Sequence, residues 1–279
     1  MSENRNRTRY SLMTNGTLVD EGIAVRLKES GLESVQVSLE GTREINDSIR
    51  GKGSFDKALK GIKELQKQGA QVTVSMTVSK ANLSEVPKMI DFCRMEKIGL
   101  LGLRRLVPLG RGKELRVQML EPEEVKRLYN YVFRYNLGAN GKTPFPSVTL
   151  GCEDGLLAQN MHYVPQGCSA AFLSMTILPN GDVYPCRRLP IKAGNVLEKS
   201  LLEIYNNSGQ LEELRKAGNA SKLCRECPFW IECRGGSKCA SYGCSGDAFA
   251  PDPQCWRLFE KLPHASEKFE TAKTTGAKT

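Results

Sequence analysis

The feature that most constrains this chain is an alternation that repeats through its first 107 residues. Short β-branched or apolar runs, "YSLM" (10–13), "VQVSL" (35–39), "VTVSMTVS" (72–79) and "LLGLRRLV" (100–107), are separated by stretches with helical periodicity. Strand, amphipathic helix and strand at a spacing of roughly thirty residues make the βαβ unit of a parallel sheet, and the handedness rule curls successive units the same way. The expected fold class is therefore α/β, with about four βα units forming an arc. The clearest of three intervening helices follows Ser54 as its N-cap, with Phe55, Ala58, Leu59, Ile62 and Leu65 on one face and Gly69 as its stop. Another follows Ser84 and puts Val86, Met89, Ile90 and Cys93 on a shared face, which makes Cys93 a core residue.

Residues 121–138 read as a further helix opened by Pro122, and the Gly- and Pro-rich segment after it reads as a linker. From Cys168 onward the pattern changes, with eight of the ten cysteines falling in 88 residues. An apolar strand, "FLSMTIL" (172–178), runs into an Asn180-Gly181 turn and returns as "VYPC", a hairpin signal. The expected organisation is a sheet-bearing part at 1–120, a connecting helix and linker at 121–165, a cysteine-rich α+β domain at 166–262, and a tail at 263–279 with little to bury.

Length and a 40% hydrophobic content suit a chain that buries a core. No window approaches the roughly 18 apolar residues of a membrane span, and the amino terminus carries no leader pattern, so a soluble, cytoplasmic protein with no membrane partner is expected. The net charge of +9 comes from basic residues scattered along predicted helices without interleaved aromatics. That distribution argues for a solvated surface and against a nucleic-acid partner.

In a reducing compartment, this cysteine density points to metal binding and away from a disulfide framework. Cys224-x2-Cys227 lets two thiolates converge on one site through a tight turn, and Cys233 fits the same site. Zinc prefers two matched knuckles, and only one is present. Iron–sulfur clusters use four thiolates each, which ten cysteines and two histidines satisfy equally well, so spacing alone leaves the two open.

The run Cys168, twelve residues, Gly181, four residues, Cys186, then Cys224-x2-Cys227-x5-Cys233 and Cys255 within "DPQC", resembles the SPASM domain. That domain is the cysteine-rich extension of radical S-adenosylmethionine (SAM) enzymes that mature peptides and proteins. The resemblance implies two auxiliary 4Fe-4S clusters. Cys224, Cys227, Cys233 and Cys255 would hold one, and Cys168 and Cys186 the other, with a third ligand from "GGSKC". The family pattern places a cysteine four residues after Cys233, where this sequence has Ser237, and Cys239 is the expected substitute. Cys152 or Cys244 could complete that cluster.

"MTNGTL" (13–18), "VSLEG" (37–41) with "INDSIRGKGSFDKAL" after it, and "VPLGRG" (107–112) resemble the third, fourth and sixth strand regions of a partial radical SAM barrel. The resemblance assigns Ser38 and Arg50 to S-adenosylmethionine. Neither the Cys-x3-Cys-x2-Cys motif of the SAM-cleaving cluster nor the Gly-Gly-Glu motif occurs in the sequence. The expectation is thus an amino-terminally truncated relative lacking its first two βα units. The resemblance implies an iron–sulfur protein of the maturase type, with a peptide or protein substrate and an electron donor such as ferredoxin or flavodoxin. The alternatives are a non-enzymatic electron-transfer or binding module and, third, a zinc-stabilised interaction domain.

Overall fold

The computed structural model describes residues 9–138, 144–151, 167–216 and 219–261. The chain divides into two compact units, one of residues 1–106 and 130–151, the other of residues 107–129 and 152–279.

The first unit is built on a parallel sheet in which β1 (Ser11–Thr14), β2 (Ser34–Ser38), β3 (Gln71–Val78), β4 (Leu100–Arg105) and β5 (Ser147–Thr149) follow in chain order. Helices α1 (Glu21–Glu29), α2 (Arg43–Arg50), α3 (Ser54–Lys67) and α4 (Val86–Met95) occupy the crossovers, and α5 (Pro122–Leu137) precedes β5. The predicted α/β alternation is thus present. Side chains alternate along a strand, so Val35, Val37, Val72, Val74, Met76 and Val78 share one face. All are buried, as are Phe55, Ile62 and Leu65 of α3 and Met89, Ile90 and Cys93 of α4. Phe55 and Phe92 meet with ring centroids 5.5 Å apart, joining the two helices. Each such large side chain contributes about 1.5–3 kcal/mol by leaving water. Cys93 is the core residue its helix face predicts.

The opposite face of the sheet is polar. Gln36, Ser38, Thr73, Ser75 and Thr77 are half-buried there, and the register sets Gln36 beside Thr73 and Ser38 beside Ser75. A sheet with one apolar face packed on helices and one polar face is suited to lining a ligand crevice.

The structure departs from the sequence expectations in three places. Gly53, at φ 75°, precedes α3, and Ser54 is the first helical residue. Asp47, from α2, does the capping: its carboxylate accepts from the Gly53 and Phe55 amides at 2.6 and 2.8 Å and from the Ser54 hydroxyl at 3.1 Å. The segment read as a linker supplies β5, held where the Asn136 side chain donates to the Val148 carbonyl at 2.6 Å and accepts from its amide at 3.2 Å. Finally, the apolar run at 172–178 is a strand only at Thr176–Ile177. The amides of Phe172, Leu173 and Ser174 all turn back on the Ser169 carbonyl at 2.9–3.2 Å, closing a turn where a strand was expected.

In the second unit β6 (Thr176–Ile177), β7 (Asp182–Tyr184) and β8 (Gly194–Asn195) form an antiparallel sheet, with the predicted turn at Asn180-Gly181 between the first two. Gly181 has φ 86°, and a Cβ there would lie 2.7 Å from Asn195 Oδ1, so the turn excludes other residues. Short helices complete the unit: α6 (Leu201–Asn207), α7 (Gly209–Arg215), α8 (Lys222–Arg225), α9 (Trp230–Cys233), α10 (Lys238–Ser245) and α11 (Trp256–Lys261). Val183, Leu189, Ile204, Leu211 and Leu214 form the core with Cys168. Cys152 and the tail at 263–279 lie outside the described residues. No described helix is long and apolar enough to cross a membrane.

Candidate metal centre and strand-end site

The Cys224-Cys227 knuckle is built by local hydrogen bonds. Ser221 caps α8, its hydroxyl accepting from the Cys224 amide at 3.3 Å, and the Cys227 amide then donates to the Cys224 carbonyl at 3.0 Å. The chain continues through the Trp230 amide to the Cys227 carbonyl and the Cys233 amide to the Phe229 carbonyl, at 3.0 and 2.8 Å. These overlapping turns bring Cys224, Cys227 and Cys233 to the lining of one cavity. Cys255 reaches the same cavity from a distant segment, and Phe229, Trp230, Leu258 and Asp252 complete the lining.

Asp252 fixes that second segment. It is 2% exposed, and its carboxylate accepts from the Ser237 and Gln254 amides, both at 2.9 Å. Its carbonyl accepts from the Cys255 amide at 3.0 Å. One buried residue thus ties the Cys255 loop to the start of α10. Gly236 makes the approach possible: its φ is 77°, and a Cβ there would lie 2.6 Å from Asp252 Cβ.

None of the nine described cysteines is in a disulfide. Burial, reinforced by neighbouring Cys255, Asp252 and Cys224, pushes the Cys233 thiol up to about 12. Burial and Asp252 push Cys255 up to about 12 as well. Cys224 is raised by burial and by Cys227, against a hydrogen bond from Ser221. Cys93 is also raised to about 12, but by burial alone, with no thiol or carboxylate contributing. The difference separates a core cysteine from cysteines that crowd one another's charge. Crowded, buried thiols are costly to ionise without a cation among them, which is the setting of a metal site.

Among the described residues, no three Cys, His, Asp or Glu side chains converge closely enough to hold a single metal ion. A closed zinc tetrahedron, with Zn–S bonds of about 2.3 Å, holds its sulfurs nearly in contact. Cys224, Cys227, Cys233 and Cys255 all line the one cavity.

The other expected ligands gather elsewhere in the same unit. Cys168 is buried in the core cluster and Cys186 packs against that cluster. Cys239, in the first turn of α10, is 4% exposed and lies within electrostatic range of Cys168. Burial pushes the Cys168 thiol up to about 11, while the Ala170 and Lys238 amides favour its ionised form. Ser237 is the N-cap of α10, and its hydroxyl lies 3.2 Å from the Cys239 sulfur. Cys244 is placed otherwise, with its sulfur 3.9 Å from that of Met119. Lys238 is buried too; desolvation lowers its pKa, while Cys168, Cys224, Asp247 and Cys233 oppose that shift.

In the first unit, Ser38 ends β2 on the polar face of the sheet. Arg50, the last residue of α2, is paired with Glu40, with Nε 3.2 Å from Oε1 and Nη2 bonded to the same oxygen. Glu40 was not singled out in the sequence; its side chain is 7% exposed, and its Oε2 accepts from the Thr77 amide at 2.7 Å. Asn82, fully buried, donates to the carbonyls of Glu40 and Thr77 at 2.8 and 3.0 Å. The carboxylate of Glu85 accepts from the amide and hydroxyl of Thr42. The loop between β2 and α2 is therefore fastened to the end of β3 by buried polar groups, and this fixes the guanidinium.

Residues 2–93 match the radical SAM superfamily model, and residues 168–228 match SPASM, an iron–sulfur cluster-binding domain. The chain is 30% identical over 281 residues to Fe-coproporphyrin III synthase of Methanosarcina barkeri, a match covering 91% of this chain and 70% of that protein. It is 31% identical over 252 residues to mycofactocin maturase MftC of Mycobacterium tuberculosis (strain H37Rv), covering 87% of this chain and 62% of that one. Its fold matches native anSMEcpe with bound AdoMet at a TM-score of 0.70 and 21% identity, covering 96% of this chain and 77% of that chain. A parallel sheet with one polar face and a cysteine-rich unit with four cysteines lining one cavity are joined here in one sequence, and the chain belongs to the radical SAM superfamily and carries its SPASM domain.

Proposed function

We propose that this chain is an iron–sulfur protein of the radical SAM/SPASM maturase type, with Cys224, Cys227, Cys233 and Cys255 holding one 4Fe-4S cluster and Cys168, Cys186 and Cys239 a second. The observation that carries the reading is that Cys224, Cys227, Cys233 and Cys255 line one cavity, in a chain whose residues 168–228 match an iron–sulfur cluster-binding domain. Bound clusters of this kind supply one-electron redox sites. The protein's part is enclosure: Phe229, Trp230 and Leu258 present apolar surface to the cavity, and Asp252 holds the loop of Cys255 in register with α10.

Ser38 and Arg50 are the residues we assign to S-adenosylmethionine. Arg50 spends Nε and Nη2 on Glu40, and a guanidinium has further donors that suit an anionic group such as the methionine carboxylate. Ser38 offers a hydroxyl at the carboxyl end of a parallel strand, where α/β folds bind ligands. MftC is a maturase by name, which supports a peptide or protein substrate; a donor such as ferredoxin or flavodoxin is part of the same proposal. The match to Fe-coproporphyrin III synthase over 91% of the chain favours a second reading with a tetrapyrrole substrate. The 279 residues contain no Cys-x3-Cys-x2-Cys spacing, which supports a binding or electron-transfer role for them on their own.

The test is metal analysis after anaerobic reconstitution. Two four-iron clusters give about eight irons and about eight sulfides per chain. Replacing Cys224 and Cys227 together with serine should remove about half of each, and so should Cys168→Ser. Stoichiometric zinc with little iron would overturn the assignment.

A further inference from the structure

A glycine weakens the interior of a strand, and it usually stands there because the backbone needs a positive φ or because a neighbour leaves no room for a Cβ. Neither reason applies to Gly102 of β4. Its φ lies outside the left-handed region, and a Cβ built on it would meet only ordinary contacts, 3.6 Å from Thr149 Oγ1 and 3.7 Å from Arg104 Nη1 and the Val74 carbonyl oxygen. What the missing side chain provides is a seat: the Arg104 guanidinium folds back along its own strand to lie over Gly102.

The register says where that seat is. Ser38 stands beside Ser75, Ser75 beside Gly102 and Gly102 beside Thr149, in one row across the polar face of the sheet. Neighbouring strands are about 4.8 Å apart, so the seat lies about 10 Å from Ser38, across Ser75. Arg104 is half-buried and makes no ion pair among the described residues; its Nη1 donates to the Leu103 carbonyl at 3.1 Å. In the same unit Arg43, Arg50 and Arg94 each have a carboxylate partner, in Asp56, Glu40 and Asp91. A guanidinium without an acid, in a row that also carries the hydroxyls of Ser75 and Thr149, is matched to an incoming carboxylate, which it can hold through two parallel N–H bonds.

We propose that Arg104, seated on Gly102 beside Thr149, is a specificity-determining residue that binds a carboxylate of the molecule to be modified, two strands away from Ser38. The inference rests on the assignment of Ser38 to S-adenosylmethionine above. The carboxylate is an acidic side chain where the substrate is a peptide and a propionate where it is a tetrapyrrole.

The experiment measures binding to the reconstituted full chain of two acidic probes, an end-blocked oligoglutamate peptide and coproporphyrin III, against their neutral counterparts, the oligoglutamine peptide and the porphyrin methyl ester. At least one acidic probe should bind the parent, and which one binds separates the two sources. R104M and R104Q should weaken that binding about tenfold or more, and G102V, whose methyl groups take the guanidinium's seat, should weaken it as well. Two arginine variants keep the comparison intact if one of them fails to fold. The proposal is overturned if neither acidic probe binds the parent, if the arginine variants bind as the parent does, or if the neutral counterpart loses as much as the acid. S-adenosylmethionine binding is read in parallel by equilibrium dialysis. A parent that does not bind it refutes the assignment of Ser38 and not the carboxylate subsite, whereas an equal loss of S-adenosylmethionine and acidic probe in R104M would make Arg104 a cofactor residue and overturn the proposal.

Discussion

The strand-end network allows a quantitative prediction at Glu40. After Leu39 the chain leaves the sheet, and the Thr77 amide of β3 would lack an acceptor if the Glu40 carboxylate did not take it at 2.7 Å. Glu40→Ala removes that acceptor and strands Arg50. A buried amide left unsatisfied costs about 1–3 kcal/mol. The lost ion pair adds less, about 1 kcal/mol or under, because the Arg50 side chain is 30% exposed and rehydrates. A local destabilisation of about 2–3 kcal/mol corresponds to about 30- to 150-fold faster exchange of the Thr77 amide, at 1.36 kcal/mol per tenfold. Glu40→Gln keeps an oxygen for Thr77 but loses the charge, and should fall between the parent and the alanine variant. Hydrogen exchange resolved at Thr77, with the Val74 amide inside the sheet as internal reference, reads the effect. If Thr77 and Val74 accelerate equally, or if Thr77 stays within about threefold of the parent, Glu40 does not anchor the strand end.

Other consequences can be checked independently. Burial works to raise the Glu85 carboxyl, but hydrogen bonds from Lys88 and Thr42 outweigh it and hold the pKa below the ordinary glutamate value. The associated stability is therefore fully present above that ordinary value and is lost as pH falls through the lowered one; E85Q should flatten the acid limb of the stability profile, and an unchanged limb would count against the linkage. Gly236→Ala should lower the urea midpoint, read by Trp230 and Trp256 fluorescence, more than Gly235→Ala does, because a Cβ at 235 meets nothing nearer than 3.9 Å; equal effects would mean that Asp252 yields readily. Cys239→Ser should cost iron, whereas Ser237→Ala should spare iron and cost about 1 kcal/mol as a lost cap, and the reverse pattern would make Ser237 the ligand. Because the 279 residues lack the three-cysteine spacing, they should form no 5′-deoxyadenosine from S-adenosylmethionine under strong reductant, and product above a no-protein blank would sink this.

The parts legible in the sequence are those whose cause is local. The β2 and β3 runs declare themselves because Val35, Val37, Val72, Val74 and Val78 alternate with polar residues, and the face of α4 is read from four apolar side chains at helical spacing. The Cys224-Cys227 knuckle is equally local, closed by one amide-to-carbonyl bond across its turn. By contrast, β5 is three residues long within a Gly- and Pro-rich stretch, and it exists because β4 offers an edge and Asn136 a clamp. The α2 helix is eight residues long with only Ile45 and Ile49 as apolar side chains, and its one buried residue is Asn46, which donates to Ser54 and accepts from the Glu40 amide. Glu40, Asp252 and Lys238 read as surface charges in the sequence. Their roles come from burial and from partners 37 residues away for Glu40 and 15 for Asp252, which no window of local pattern contains.

The departure at Ser237 is physically informative because of where α10 begins. Ser237 has extended backbone, caps the helix by accepting from the Ala240 amide at 3.4 Å, and donates its own amide to Asp252. A residue so engaged is held by the helix start and by the Cys255 loop at once. Two positions later, Cys239 lies in the first turn of the helix, buried, with the Cys168 sulfur in range and the Ser237 hydroxyl beside its own sulfur. The first turn of a helix favours negative charge through its unpaired amides, and so favours a thiolate there. The shift from 237 to 239 therefore moves the thiol from the cap into the helix and leaves a better capping side chain behind. Residues 236–239 then serve both cysteine sets: Gly236 and Ser237 through Asp252 to Cys255, and Lys238 and Cys239 to Cys168.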